Sequence, residues 1–177
     1  EGPAAFYSND QKVIFTRNNY HKGKSGESQD GINKLKLFYS EKSKNGKKWC
    51  PPKEMPFNSD DYSVGHPTIS SDGQTLYFAS DMPGGFGGSD IYMSKLEGNK
   101  WGNPQNMGDV INTPGNEFFP FIHNDQTLYY SSNGMPGIGG LDVFEVDVNN
   151  PETPKNIGYP INTEKDDFGM IVSADGR

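Results

Sequence analysis

The sequence is poor in the residues on which most metal sites and disulfide-stabilised folds depend. Cys50 is the only cysteine among 177 residues, so no disulfide can form within the chain. The three histidines, His21, His66 and His123, do not share a spacing typical of metal ligands. The sequence therefore predicts no metal site built from cysteine or histidine, and no cofactor.

Long apolar runs and an excess of basic residues are also missing. No stretch approaches the roughly 18 apolar residues of a membrane-spanning helix, so we expect no direct membrane insertion by this segment. Residues 1–3 have neither the basic nor the apolar region of an export signal, and we expect any signal or lipid anchor to lie outside the chain. The formal net charge is −7, which argues against a nucleic-acid partner because a phosphate-binding surface needs a basic excess.

A helical stripe of apolar residues at i, i+3, i+4 and i+7 is absent as well, so helices should be nearly absent. The 22 glycines and 13 prolines recur at regular places, as expected for turns between ordered elements. Aromatic runs such as 76–78 and 128–130 are bounded by these turns, a pattern typical of strands. The composition therefore predicts an all-β fold.

What the sequence does contain is an internal repeat of about fifty residues. Segment 69–78 returns as segment 122–130, and the aspartates Asp72 and Asp125 of these two segments are 53 residues apart. Segment 87–92 returns as 139–144, which is 52 residues later. The same unit occurs earlier, around residues 7–15, and restarts near residue 172. A repeat of this length indicates a propeller or a solenoid.

The second unit shows the strands of one repeat most clearly. We predict strands at 66–70, 75–80 and 90–96, with a weaker strand at 104–107. Four antiparallel strands per unit is typical of a β-propeller blade. The sequence thus predicts an all-β, incomplete β-propeller of about three four-stranded antiparallel blades and the start of a fourth. The expected bounds are 4–63, 64–116, 117–167 and 168–177.

The repeat resembles the WD-repeat-like, TolB-type β-propeller repeats of large OmpA-family proteins of Bacteroidetes. The resemblance covers essentially the whole chain and is most specific in segments 58–67, 80–92 and 139–144. It implies a periplasmic, outer-membrane-associated protein that acts as a non-catalytic protein-protein interaction scaffold in a peptidoglycan-linked cell-envelope complex. Some family members resemble accessory parts of type IX secretion machinery. A peptidoglycan-binding domain would lie outside this chain.

A closed propeller needs at least four blades, which is more than these repeats supply. An open strand edge invites pairing with another chain. We therefore expect the remaining propeller segment, or another copy of the chain, to complete the sheet. Other cell-envelope proteins are the further expected partners.

Two glycine-rich loops, 81–90 and 133–142, connect the second and third strands of their units. Each loop begins and ends with an oxygen-bearing side chain, so a calcium site and a calcium-stabilised structural propeller are open alternatives. The loops lack the interleaved acidic residues of an ordinary calcium loop, and we interpret the terminal aspartates as acceptors for nearby backbone amides. The residues assigned to turns and loops are Asp72, Gly73, Gly87, Gly88, Asp90, Gly139, Gly140 and Asp142.

Propeller topology places these loops, the links between blades and the long insertion 17–34 on one rim. We expect this rim to expose four apolar side chains and interpret them as partner-binding residues. The alternative is that they pack against the neighbouring blade. The four residues are Met82, Phe86, Met135 and Ile138.

No nucleophile elbow or comparable context for a catalytic triad is visible, so we do not expect an enzyme. His66, which precedes Pro67 at the start of an inner strand, is interpreted as a hydrogen-bonded structural residue. The alternative function is a glycan-binding or glycan-cleaving propeller, since paired carboxylates cleave glycosides. Five acidic residues recur near the blade junctions and would otherwise cap them: Asp60, Asp61, Glu117, Asp166 and Asp167.

Overall fold

The structure, a computed structural model, describes residues 2–21, 24–124 and 126–173. Fifteen β-strands and no helix occur in these ranges. Consequently, no helix able to cross a membrane is found among the described residues. The strands are β1 (Ala4–Tyr7), β2 (Lys12–Asn18), β3 (Tyr20–His21), β4 (Lys24–Ser25), β5 (Leu35–Glu41), β6 (Lys53–Glu54), β7 (Val64–Ile69), β8 (Thr75–Ser80), β9 (Asp90–Glu97), β10 (Lys100–Trp101), β11 (Gln105–Asn106), β12 (Glu117–Ile122), β13 (Thr127–Ser132), β14 (Asp142–Asp147) and β15 (Lys155–Asn156).

Thirteen of the strands form three successive antiparallel sheets that follow the sequence repeat, and β3 and β4 pair as a separate two-stranded sheet within the insertion 17–34. The first has the order β1-β2-β5-β6 and the third the order β12-β13-β14-β15. In the second, β7-β8-β9 continues into a broken outer strand, because β10 and β11 both pair with β9 at different places. The predicted all-β, incomplete propeller of four-stranded antiparallel blades is confirmed, and strands β7, β8, β9 and β11 lie where the second unit predicts them.

Each sheet packs face to face with the next, which explains the continuous apolar run in β8. Leu76 and Phe78 face the first sheet, while Tyr77 and Ala79 face the third. Because side chains alternate along a strand, a strand buried on both faces has no polar side in its centre. The first junction contains Ile14, Leu37, Met55, Phe57, Val64, Leu76, Phe78 and Tyr92. The second contains Tyr77, Ala79, Ile91, Ile111, Ile122, Leu128, Tyr130, Phe144 and Val146.

The first strand of each sheet lies innermost, and in β7 and β12 it carries the same irregularity. His66 and Phe119, each directly before a proline, have φ of 53° and 51°. The pairing register shifts at both places, as in a β-bulge. The His66 amide, freed from its own sheet, donates to Thr16 Oγ1 of the first sheet at 2.9 Å. The bulge therefore connects neighbouring blades.

The predicted start of a fourth blade is described only in part. Residues 168–173 form no strand. Phe168 instead stacks on Phe119, with ring centroids 4.9 Å apart. Residues 174–177, the last part of the predicted fourth unit, and Asp125 of the third unit lie outside the described residues.

Candidate functional site

The two glycine-rich loops are closed by the aspartate that begins the following strand. Asp90 accepts hydrogen bonds from the amides of Phe86 at 2.6 Å and Gly87 at 3.2 Å. Asp142 accepts from the amides of Ile138 at 2.8 Å and Gly139 at 3.1 Å. The two carboxylates thus use backbone donors, which is the turn-closing interaction that the sequence suggested.

Glycine is required in these loops because the next inter-blade link passes directly against them. A Cβ at Gly87 would overlap the carbonyl oxygens of Thr113 and Gly115, and one at Gly139 would overlap the carbonyl oxygen of Lys165. The Gly88 amide donates to Gly115 O at 2.8 Å. The loops and the links therefore share one face of the protein, here called the loop face, as propeller topology predicted.

An asparagine fastens each link to the third strand of its blade. The Asn112 side chain accepts from the amide of Ile91 at 2.7 Å and donates to the carbonyl of the same residue at 3.0 Å. Asn162 makes the same pair of bonds to Val143. Asn58 does so with Leu37 in the first blade. This repeated contact was not predicted, although segments 111–113 and 161–163 were recognisable as repeats in the sequence.

Glu117 is fully buried beneath the loop face and binds three donors. Its carboxylate accepts from Thr113 N at 2.9 Å, Thr113 Oγ1 at 2.6 Å and Ser132 Oγ at 2.6 Å. Burial raises the pKa of the Glu117 carboxyl, although these hydrogen bonds act in the opposite direction. Asp167 repeats the contact with Thr163 in the next link. Both residues therefore cap a link.

Two other acidic residues from the same set also bind within the protein. Asp60 accepts from Asn19 Nδ2 at 2.8 Å and pairs with Lys36 Nζ at 2.8 Å. Asp166 accepts from the amide of Leu141 at 2.9 Å. No group of three or more histidine, cysteine, aspartate or glutamate side chains suited to a metal ion occurs in the described ranges. Asp60, Glu117, Asp166 and Asp167 thus act as structural acceptors.

The four apolar residues predicted on the rim separate into two kinds. Phe86 and Ile138 are 49% and 51% exposed, and they occupy equivalent places in consecutive loops. Met82 and Met135 are half-buried instead, each against one of the two apolar junctions. For these methionines the alternative of packing against the neighbouring blade describes their position, because a long, flexible thioether side chain reaches back from the loop to the core. Their role in partner binding stays a prediction.

The insertion 17–34 also lies at the loop face. Its polar contacts reach the second blade, where Lys34 Nζ is 3.4 Å from Asp81 Oδ2. Residues 22 and 23 of the insertion are outside the described part. Beside this contact is an open cleft of about 360 Å³, whose lining includes Asp81, Ser89 and His66. The loop face thus combines an open cleft, lined by both polar and apolar residues, with two exposed apolar side chains.

His66 lies on β7, the innermost strand of the second sheet, and contributes to the lining of this cleft. Its ring stacks on Phe119 with a centroid separation of 4.0 Å and an interplanar angle of 10°. Burial lowers the pKa of His66 from 6.5 to about 4. The imidazole is therefore neutral near pH 7 and packs as an aromatic ring.

No protein-family model matches this sequence, and no curated protein matches it significantly. Solved structures do match. TolB from Acinetobacter baumannii is 14% identical, with 99% of this chain and 36% of that chain covered and a TM-score of 0.60. A putative TolB from Agrobacterium tumefaciens is 14% identical, with 98% and 56% covered and a TM-score of 0.56.

A puromycin-hydrolyzing peptidase from Mycobacterium tuberculosis is 14% identical, with 92% of this chain and 22% of that chain covered and a TM-score of 0.58. The chain thus spans less than two thirds of the length of each of these proteins. At such low identity the likeness shows the fold, which is that of a TolB-type β-propeller, and nothing more specific.

Proposed function

We propose that this protein is a non-catalytic protein-interaction scaffold that binds its partners through the loop face. One observation carries the proposal: Phe86 and Ile138 are half exposed at equivalent positions of consecutive blades. The polar groups around them are largely engaged in hydrogen bonds within the loops and links. Exposed apolar side chains on well-supported loops are typical of partner surfaces.

The loops hold these two side chains in place before any partner binds. The amides of Phe86 and Ile138 themselves donate to Asp90 and Asp142, so the backbone of both residues is fixed. A partner that covers them would lose little conformational entropy from this side of the interface. Aromatic and aliphatic anchors of this kind supply much of the binding free energy of protein interfaces.

The proposed setting is the periplasm, in association with the outer membrane. The TolB-type fold supports the periplasmic location. The outer-membrane association, the OmpA-family and Bacteroidetes context and the role in type IX secretion are supported only by the resemblance of the repeat. A glycan-cleaving role at the loop face is not favoured, because Asp60, Glu117, Asp166 and Asp167 cap structural contacts there.

Photo-crosslinking in the cells that produce the protein tests the proposal. A photoreactive phenylalanine analogue at position 86 or 138 is expected to capture the same partner protein, because both positions lie on one surface. The same analogue at Gln74, an exposed turn residue between β7 and β8 at the opposite face, serves as the control. Equal capture from all three positions would contradict a loop-face interface.

Removing the apolar side chains gives a second readout. The double substitution F86S/I138S is expected to reduce co-purification of the crosslinked partner at least tenfold. The melting temperature should change little, since both side chains are about half exposed. Unchanged co-purification by the folded double variant would show that the partner binds elsewhere.

A further inference from the structure

A second cleft lies between the first and second blades, on the face opposite the loop face. It has a volume of about 640 Å³, and three aromatic residues, Tyr7, Tyr39 and Trp101, contribute to its wall. All three rings are half-buried and pack on the apolar junction between the blades. The junction thus fixes the rings from behind, while the cleft leaves part of each ring accessible. We call this site the aromatic cleft.

The aromatic lining is not required to build a blade junction. Strand pairing makes Tyr39 equivalent to Met93, since they pair with Lys53 and Gln105 respectively. Tyr7 pairs with Lys12 at the end of the first two strands of the first blade. The corresponding position of the second blade, one residue beyond the Ile69–Leu76 pair, is Ser70. The second junction is nevertheless well packed. The aromatic residues of the first junction are therefore an addition to the repeat.

Lysine side chains lie over two of these rings. Lys12 Nζ is 5.8 Å from the ring centroid of Tyr7, and Lys53 Nζ is 5.9 Å from that of Tyr39. Lys100 contributes a third ammonium group to the cleft. In a protein with a net charge of −7, this is a local concentration of positive charge beside ring faces.

Two carboxylates also line the aromatic cleft, and both have lysine neighbours. Glu41 stands opposite Lys12 in the β2–β5 pair. Glu54 Oε2 is 3.5 Å from Lys36 Nζ of the adjacent strand. Glu97, outside the lining, stands opposite Lys100 in the β9–β10 pair. The lining itself has three lysines and two glutamates, so lysines remain in excess there.

We propose that the aromatic cleft binds an acidic oligosaccharide. The C–H face of a pyranose ring would stack on the tyrosine and tryptophan rings, as apolar surface does on aromatic side chains. The lysine ammonium groups would move from the ring faces to the sugar carboxylates, where charge-assisted hydrogen bonds are stronger. Glu41 and Asn99 can bind sugar hydroxyl groups at the edge. The volume lies within the usual range for small-molecule sites.

An acidic oligosaccharide fits this lining better than other anions or apolar ligands. A purely apolar ligand would leave the lysines without acceptors, and a simple anion would make no use of the three ring faces. This site is independent of the proposed loop-face interface, because it lies on the opposite face and shares no residue with it.

Tryptophan fluorescence tests the proposal directly. The W49F background leaves Trp101 as the only tryptophan, so the emission reports on the aromatic cleft. Titration with tetragalacturonate is expected to give a saturable change in Trp101 emission. The neutral tetramer cellotetraose should bind at least fivefold more weakly, because it offers no carboxylate to the lysines.

The second junction supplies a matched control variant. The substitutions Y39M and K53Q place the residues of the second junction, Met93 and Gln105, at the equivalent positions of the first, so the variant should fold. It is expected to bind tetragalacturonate at least tenfold more weakly, with an unchanged melting temperature. F86S/I138S should bind the sugar as the unmodified protein does.

Three results would overturn the proposal. One is the absence of a saturable change with tetragalacturonate. Another is equal binding of the neutral and acidic tetramers, which would remove the role of the lysines. The third is unaltered binding by the folded Y39M/K53Q variant, which would place the sugar elsewhere on the protein.

Discussion

Replacing Asn112 with alanine is expected to lower the free energy of unfolding by about 3 kcal/mol, which corresponds to a fall of about 9 °C in melting temperature for a protein of this size. Asn112 is 2% exposed. Its side chain bonds both the amide and the carbonyl of Ile91 and also donates to Asn106 Oδ1 at 2.8 Å. Alanine would leave these buried groups unpaired, which costs more than the loss of a solvent-exposed hydrogen bond.

The isosteric variant N112D separates the loss of hydrogen bonds from the loss of volume. Its carboxylate could still accept from Ile91 N but could no longer donate to Ile91 O or Asn106 Oδ1. We therefore expect N112D to be destabilised as well. Urea unfolding followed by circular dichroism measures both variants, with N103A, an exposed position between β10 and β11, as the control. A change of less than about 1 kcal/mol in N112A would show that the link does not depend on this side chain.

The sequence repeat shows that Asn112 and Asn162 occupy equivalent positions, but it does not show the contact that they make. Segments 111–113 and 161–163 share the order Ile-Asn-Thr, which marked them as equivalent. Asn58 has neither neighbour in common with them, so the first copy of the contact is invisible without coordinates. A side chain that bonds to backbone atoms about twenty residues away leaves no short-range pattern in a sequence.

The sequence also did not predict which of the loop side chains are exposed. The topology correctly predicted that both glycine-rich loops share a face with the links. It could not distinguish Met82, which turns back to the apolar junction, from Phe86, which remains half exposed four residues later. Loop side chains follow local backbone direction, and no strand or helix periodicity fixes that direction.

The aromatic cleft was also beyond what the sequence could show. Tyr7, Tyr39 and Trp101 are far apart in the chain, and the pairing register between strands is what brings them together. The two tryptophans, Trp49 and Trp101, are 52 residues apart in the sequence and so follow the repeat, which says nothing of a cleft. Their surroundings differ: Trp101 packs against the junction between the first and second blades, whereas Trp49 is 42% exposed.

The positive φ of His66 was not predicted either, although a structural role for this histidine was. Left-handed backbone is uncommon outside glycine, and nothing in the segment Gly65-His66-Pro67 identifies the middle residue as the bulge. The equivalent positions of the next units are Phe119 and Gly169, with φ of 51° and 75°. Three different residue types thus adopt one backbone conformation, which indicates that the inner-strand contacts impose it.

Lowering the pH from 7.5 to 5 is expected to destabilise the protein through His66 by about 2 kcal/mol. The folded state holds the pKa of His66 at about 4, below the 6.5 of an unburied histidine. Between these values the unfolded chain binds a proton that the folded chain excludes. The stabilisation that comes from the neutral His66 is therefore complete above pH 6.5, and it is lost as the pH falls towards 4.

The variant H66F removes the titrating group. It also removes the acceptor of Phe119 N, which lies 3.5 Å from His66 Nδ1, but this loss is the same at both pH values and cancels in the comparison. The ring at the equivalent position of the next blade is Phe119, which has the same left-handed backbone, so H66F should fold and retain the stacked ring. Urea unfolding at pH 7.5 and pH 5 measures the pH-dependent loss in both proteins, and the loss should be about 2 kcal/mol smaller in H66F. Carboxylates such as Glu117, whose pKa is raised by burial, contribute with the opposite sign but equally in both proteins. An identical pH dependence in H66F would show that His66 exchanges protons freely in the folded state, and its stacking on Phe119 would then not depend on a neutral ring.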